Sequence, residues 1–136
     1  MKTKFYVFCA ILMACMLGMS ACSSSDVIIE ATVQSFNKQC PLDLGNGLTA
    51  IKMENDSRYV VYYYKGDDDI YSFSNDLITD AQKEQTIQAL QTQSQMDDNV
   101  KKFIRNLKKS NKGICYHYFT STTTMDLIIE AHELRE

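Results

Sequence analysis

Apolar and polar positions divide the chain beyond residue 26 into helical and strand segments. Val27 to Gln39 carries Ile28, Ala31 and Phe36 with no internal breaker. Asp26 stands at a capping position and Pro41 closes the run. The segment predicts a helix of about three turns, with the β-branched Val27-Ile28-Ile29 leaving a strand as the alternative. Leu42 to Gly47 is a loop punctuated by Gly45-Asn46-Gly47. Leu48 to Met53 alternates Leu48, Ala50 and Lys52 with Thr49, Ile51 and Met53. Asn55-Asp56-Ser57 then turns the chain into Arg58–Lys65, whose aromatic and β-branched run is the strongest strand signal, and the two form a hairpin. Gly66-Asp67-Asp68-Asp69 ends it, and Ile70–Phe73 is a candidate short strand.

Thr79 and Asp80 open a helix carrying Ile87 and Leu90. Asp97-Asp98 restarts a second helix whose face is Val100, Phe103, Ile104 and Leu107, at i, i+3, i+4 and i+7. Acids at its start and lysines at its end suit the helix dipole, and Asn111-Lys112-Gly113 stops it. Ile114–Phe119 is a second aromatic strand, Thr120–Thr124 a turn, and Met125–Ala131 the closing strand of a second hairpin, with a polar tail from His132. The order is α-ββ-α-α-ββ. It predicts an α+β fold of two layers: an antiparallel sheet of two hairpins packed against helices. Tyr59-Val60-Val61-Tyr62-Tyr63 and Ile114-Cys115-Tyr116-His117-Tyr118 echo one another, as two similar units would.

Composition adds bounds. A chain of 136 residues holds one domain, and 45% hydrophobic with 23% charged residues excludes a disordered chain. A net charge of −3 offers nothing to nucleic acid. The charge is uneven, however. Lys2 and Lys4 precede an uncharged apolar run from Phe5 to Gly18, followed by small Ser20 and Ala21, Cys22 and a Ser-rich stretch. This is the plan of a secretory signal peptide, and the run is short of the ~20 residues of a membrane span.

Met19-Ser20-Ala21-Cys22 resembles the lipobox of bacterial lipoproteins, with Met19 in the place of the usual Leu. The resemblance implies acylation at Cys22 and cleavage before it. The Ser after Cys22 implies an outer-membrane address within the cell envelope. Residues 1–21 are then signal, 22–26 the lipidated Cys and its tether, and 27–136 the domain. Two or three acyl chains give stable attachment at ~0.8 kcal/mol per buried methylene. More broadly, the chain looks like small envelope lipoproteins of bacteria with an outer membrane. The Asn37-Lys38-Gln39-Cys40-Pro41 segment ahead of two tyrosine-rich strands carries that likeness, which implies no activity.

Signal removal and lipidation leave Cys40 and Cys115. In an oxidising compartment they are a candidate disulfide, the alternative being two separate buried thiols. Cys115 and His117 point to one side of a strand, but no orienting third group is evident for a thiolate nucleophile. His117 and His132 are too few and too far apart for zinc. Asp67-Asp68-Asp69 lacks the spacing of a calcium loop, and Glu30, Glu54 and Glu130 cannot be paired from sequence. No cofactor motif occurs.

Two surfaces are candidates for a protein partner. One is a tyrosine row in which either Tyr62 and Tyr64 or Tyr59 and Tyr63 face outward beside Tyr116 or His117; Tyr62, Tyr64, Tyr116 and Tyr118 are the contact set chosen. The other is the basic side of the last helix, with Lys101, Lys102, Arg105, Lys108, Lys109 and Lys112, which also suits an anionic lipid surface. The expectation is a non-enzymatic, membrane-anchored lipoprotein that binds a protein at the envelope. Its most specific form is an immunity-type inhibitor of a periplasmic toxin. The alternatives are an accessory factor of envelope or secretion assembly and a module for glycan or peptidoglycan fragments.

Overall fold

The computed structural model describes residues 24–136. Cys22 and the signal segment lie outside the described residues. Helix α1 spans Ser25–Gln39, starting where the Ser24 hydroxyl accepts the Val27 N–H. Five strands follow in two groups: β1 Leu42–Gly45, β2 Leu48–Asn55 and β3 Tyr59–Gly66, then β4 Gly113–Phe119 and β5 Thr124–Ile129. Between the groups run α2 Asp80–Met96 and α3 Asp98–Lys109. A capping box at Thr79 and Gln82 starts α2, the Asp97 side chain caps α3, and Asn111 in the left-handed region (φ 54°) ends the last turn.

The strands lie in chain order, β1-β2-β3-β4-β5, in one open sheet, and the fold is α+β as expected. The sheet is not wholly antiparallel. The two-helix crossover returns the chain to the end where β3 began, so β4 runs parallel to β3 while the other three pairs are antiparallel. The two echoing aromatic segments therefore become neighbours, with Tyr62 opposite Tyr116, Tyr63 opposite His117 and Tyr64 opposite Tyr118.

Strand alternation decides which tyrosines face the helices. Tyr62, Tyr64, Tyr116 and Tyr118 are at most 1% exposed. Their rings stack across the strands at 5.1 Å (Tyr62–Tyr116) and 5.2 Å (Tyr64–Tyr118), and Phe36 of α1 meets Tyr62 edge-on at 5.4 Å. These four residues are core, not a contact surface, which corrects the contact set chosen from sequence. Val100, Phe103, Ile104 and Leu107 of α3 are fully buried, as their spacing predicts.

Four local differences have simple causes. The loop after Pro41 contains β1, which extends the hairpin by a strand. A bulge between Ala50 and Lys52 breaks the alternation of β2. Leu48, Ala50 and Met53 consequently face the core while Lys52 faces out. Where β1 leaves the edge of β2 uncovered, the Asn37 amide takes over, accepting the Met53 N–H at 2.7 Å and donating to the Met53 carbonyl at 2.9 Å. Ile70–Phe73 is not a strand: Tyr71 and Phe73 stack on each other at 5.2 Å and fill the core without pairing. The tail is not simply polar either, since Leu134 is buried and Lys83–Glu133 and Arg105–Glu136 ion pairs tie it to α2 and α3.

Two substitutions test this packing. Phe103→Ala removes a fully buried ring at the helix–sheet junction and lowers unfolding free energy by about 3–5 kcal/mol in urea titration. Gly113→Ala is also strongly destabilising, because its new Cβ meets the Ile129 carbonyl oxygen at 2.3 Å. An unchanged midpoint for either contradicts the packing described.

Candidate functional site

All three helices cover one face of the sheet, and its other face is open. Alternation puts Val61, Tyr63 and Lys65 of β3, Cys115, His117 and Phe119 of β4, and Asp126 and Ile128 of β5 on that open face. Tyr59 and Tyr63, with His117, are therefore the outward aromatic set, the second of the two parities that the sequence allowed. The residues are joined by cross-strand contacts. His117 packs edge-on to Tyr63 at 5.3 Å and lies over Phe119 at 5.7 Å. Lys52 sits over the Tyr63 ring at 4.7 Å, and the Tyr63 hydroxyl donates to Glu54 at 2.7 Å.

Asp126 is the group missing from the sequence reading. Its carboxylate lies 2.6 Å from His117 Nδ1, and the Cys115 thiol points at the same oxygen from 3.7 Å. The two contacts follow from register, since His117 pairs with Asp126 across β4 and β5. The Thr120–Thr124 turn was a signal for this pairing, but the turn length leaves the register open by one position. Cys115, His117 and Asp126 meet at one carboxylate oxygen. Burial, then the neighbouring Asp126 charge, push the Cys115 thiol up to about 12, the opposite of what a thiolate nucleophile needs. The thiol is also on the far side of the sheet from Cys40. Cys40 packs beside the core near the end of α1, donates to the Phe36 carbonyl at 3.4 Å, and is likewise held protonated by burial. Cys40 and Cys115 are free thiols in this structure, the second of the two alternatives that the sequence left open.

The other sequence candidates are scattered. Glu30 and Glu54 line one shallow cleft beside α1, but hydrogen bonds from Tyr63 and Lys52 hold Glu54 below the usual carboxylate range, which does not suit a general acid. Glu130 is at the end of β5, accepting from Tyr59 at 2.8 Å. No group of three potential metal ligands occurs among the described residues.

On α3, Arg105 is paired with Glu136 and Lys108 donates to the Leu134 carbonyl at 2.6 Å. Just beyond the helix, Lys112 donates to Asn55. Lys101, Lys102 and Lys109 form no ion pair with another described residue. The basic helix is thus partly consumed in holding the tail. No protein-family model, curated protein or solved structure matches the chain.

The environment of the open face predicts its own chemistry. Cys115 in the folded protein should react with iodoacetamide at pH 8 on the order of a thousandfold more slowly than in urea, as a rise from 9.0 to about 12 requires. Tyr63 is also raised, from 10.0 to about 12, by the Glu54 hydrogen bond and then by burial. The folded state holds both protons after the unfolded chain begins to lose them. Their contribution is therefore complete below about pH 9 and is lost as pH rises toward about 12. The urea midpoint should be level from pH 7 to 8.5 and fall steadily above pH 9; a level curve to pH 11 contradicts this.

Proposed function

We propose that this chain is a non-enzymatic lipoprotein, anchored through Cys22 at the bacterial envelope, whose domain binds another protein. The observation that carries the reading is the open sheet face, where Val61, Tyr63, His117, Phe119 and Ile128 form a continuous apolar and aromatic area instead of a polar cleft. Such a surface suits protein contact because its side chains are rigid and already ordered by the strands. The most specific version is an immunity-type inhibitor of a periplasmic toxin, a reading that small size suits. An accessory factor of envelope assembly uses the same surface for a different partner.

The test is affinity capture with the full-length lipidated protein in detergent, comparing wild type with a Val61→Glu, Ile128→Asp double variant. One stoichiometric partner that the variant loses by at least about tenfold supports the reading. The variant's thermal unfolding is followed in parallel, so that loss of the fold is not mistaken for loss of contact. Capture that survives the variant and disappears with Lys101→Glu, Lys102→Glu moves the contact to α3. No partner for any form counts against protein binding.

A further inference from the structure

The open face of the sheet is built in rows, with one residue from each of four strands. The central row runs Lys52, Tyr63, His117, Asp126 from β2 to β5, as the strand registers set it. Its members touch in order. Lys52 lies over the Tyr63 ring at 4.7 Å, Tyr63 meets His117 edge-on at 5.3 Å, and His117 Nδ1 is 2.6 Å from Asp126. The row therefore begins on a cation, crosses two rings and finishes on an anion. Three strand spacings of ~4.8 Å put the charged ends about 14 Å apart, too far to pair within one domain. Both ends are open to solvent, with the side chains of Lys52 and Asp126 48% and 43% exposed. Lys52 pairs with Glu54 at 3.1 Å, but an exposed pair of this kind is weak and leaves the ammonium available. The contacts of the Asp126 side chain fall on Oδ1, which leaves Oδ2.

Such a row is complementary to its own reverse. A second copy turned by half a revolution about an axis along the strands, between β3 and β4, sets β2 of one domain against β5 of the other. Lys52 of each copy then meets Asp126 of the other, so the ion pair forms twice. Tyr63 meets His117 of the second copy. In the flanking rows Val61 meets Cys115 of the second copy, and the Lys65 ammonium meets the Phe119 ring of the second copy, a cation–aromatic contact. The other half-turn centred on this row has its axis across the strands. It sets Lys52 against Lys52 and Asp126 against Asp126, and like charges repel. Charge thus selects the first arrangement over the second. Glu54 falls opposite Ile128 of the second copy at a corner of the patch. Its carboxylate keeps Tyr63 and Lys52 as partners, and the ~30° angle between aligned sheets displaces corners more than the central row.

From this self-complementarity we infer that the open face pairs with the same face of a second copy of the chain, strands aligned, with Lys52 of each domain bound to Asp126 of the other. The inference rests on the reading of this face as a contact surface and names an occupant for it. The dimer is weak. Four strands ~4.8 Å apart and seven residues ~3.3 Å apart make a patch of about 19 by 23 Å, short of the ~800 Å² that each partner buries in a standard interface. A weak dimer separates readily, which leaves the face open to exchange with another protein.

The test is sedimentation equilibrium of the full-length protein in density-matched detergent, from about 10 to about 1,000 μM, the range that a small interface calls for. Wild type is compared with Lys52→Glu, with Asp126→Lys, and with the two combined. Wild type should show a monomer–dimer equilibrium. Either single reversal should weaken it by about tenfold or more, and the combination should recover it to within about threefold of wild type, because the pair is restored with its signs exchanged. Lys52 and Asp126 lie three strands apart in one domain, so such recovery arises only between copies. All forms share the same detergent and the same amino-terminal segment, so chance sharing of a micelle affects them equally. Thermal unfolding is followed for each. Where a reversal unfolds the domain, Lys52→Gln and Asp126→Asn read the same contact, and each should weaken the dimer. A wild type that stays monomeric over the whole range overturns the inference, as does association that the single substitutions leave unchanged or that the double reversal fails to recover. A monomer that still captures a partner lost on Val61→Glu, Ile128→Asp defeats the dimer and keeps the contact face, whereas a monomer that captures nothing defeats both.

Discussion

The fold depends on the parallel pairing of β3 with β4 beneath α1 and α3. That pairing sets Tyr62 beside Tyr116 and Tyr64 beside Tyr118, stacks their rings, and closes them under Phe36 and Phe103. Aromatic rings bury much area per residue and lock neighbouring strands through offset stacking. Parallel strands need a crossover, and the α2–α3 pair supplies it on the face that the tyrosines need covered. The crossover, the one-sided helix layer and the buried tyrosines are thus one solution to a single requirement.

The same requirement leaves the opposite face bare. Period-two alternation that sends Tyr62, Tyr64, Tyr116 and Tyr118 inward must send Tyr63, His117 and Phe119 outward. The chemistry of that face is damped. The thiol of Cys115 is held protonated beside Asp126, Tyr63 is tied to Glu54, and the Glu54 carboxylate is held ionised. Groups fixed in those states are poor at moving protons or attacking a substrate but serve well as ordered contacts. At the β5 edge the Asp126 N–H is taken by the Asn75 side chain.

The amphipathic stripe of α3 and the aromatic strands were legible because each is a strong local period. So were the start of α2 at Thr79, the two hairpins and the α+β class. What escaped the sequence depends on distant parts of the chain. The parity of the tyrosines is set by which side the helices cover, and a strand with an aromatic on both sides does not declare it. The direction of β4 relative to β3 is set by a crossover of more than forty residues, from Gly66 to Gly113. The bulge at Ile51 needs the register of β3, and β1 is only four residues beside a glycine-rich turn. Asp126 as the partner of His117 needs the hairpin register. The basic residues of the last helix were legible in composition but not in use, because the Arg105 and Lys108 partners lie in a tail read as polar and free.

Charge and topology bear on one another. Arg58, Lys109 and Lys112 come from separate segments, yet the return of the crossover to the start of β3 brings them to the end where α1 begins. The Asp67-Asp68-Asp69 run falls at the opposite end because β3 must finish a strand length away. A strand of eight residues spans about 26 Å, roughly three Debye lengths at physiological salt. The two ends therefore respond almost independently to a charged surface.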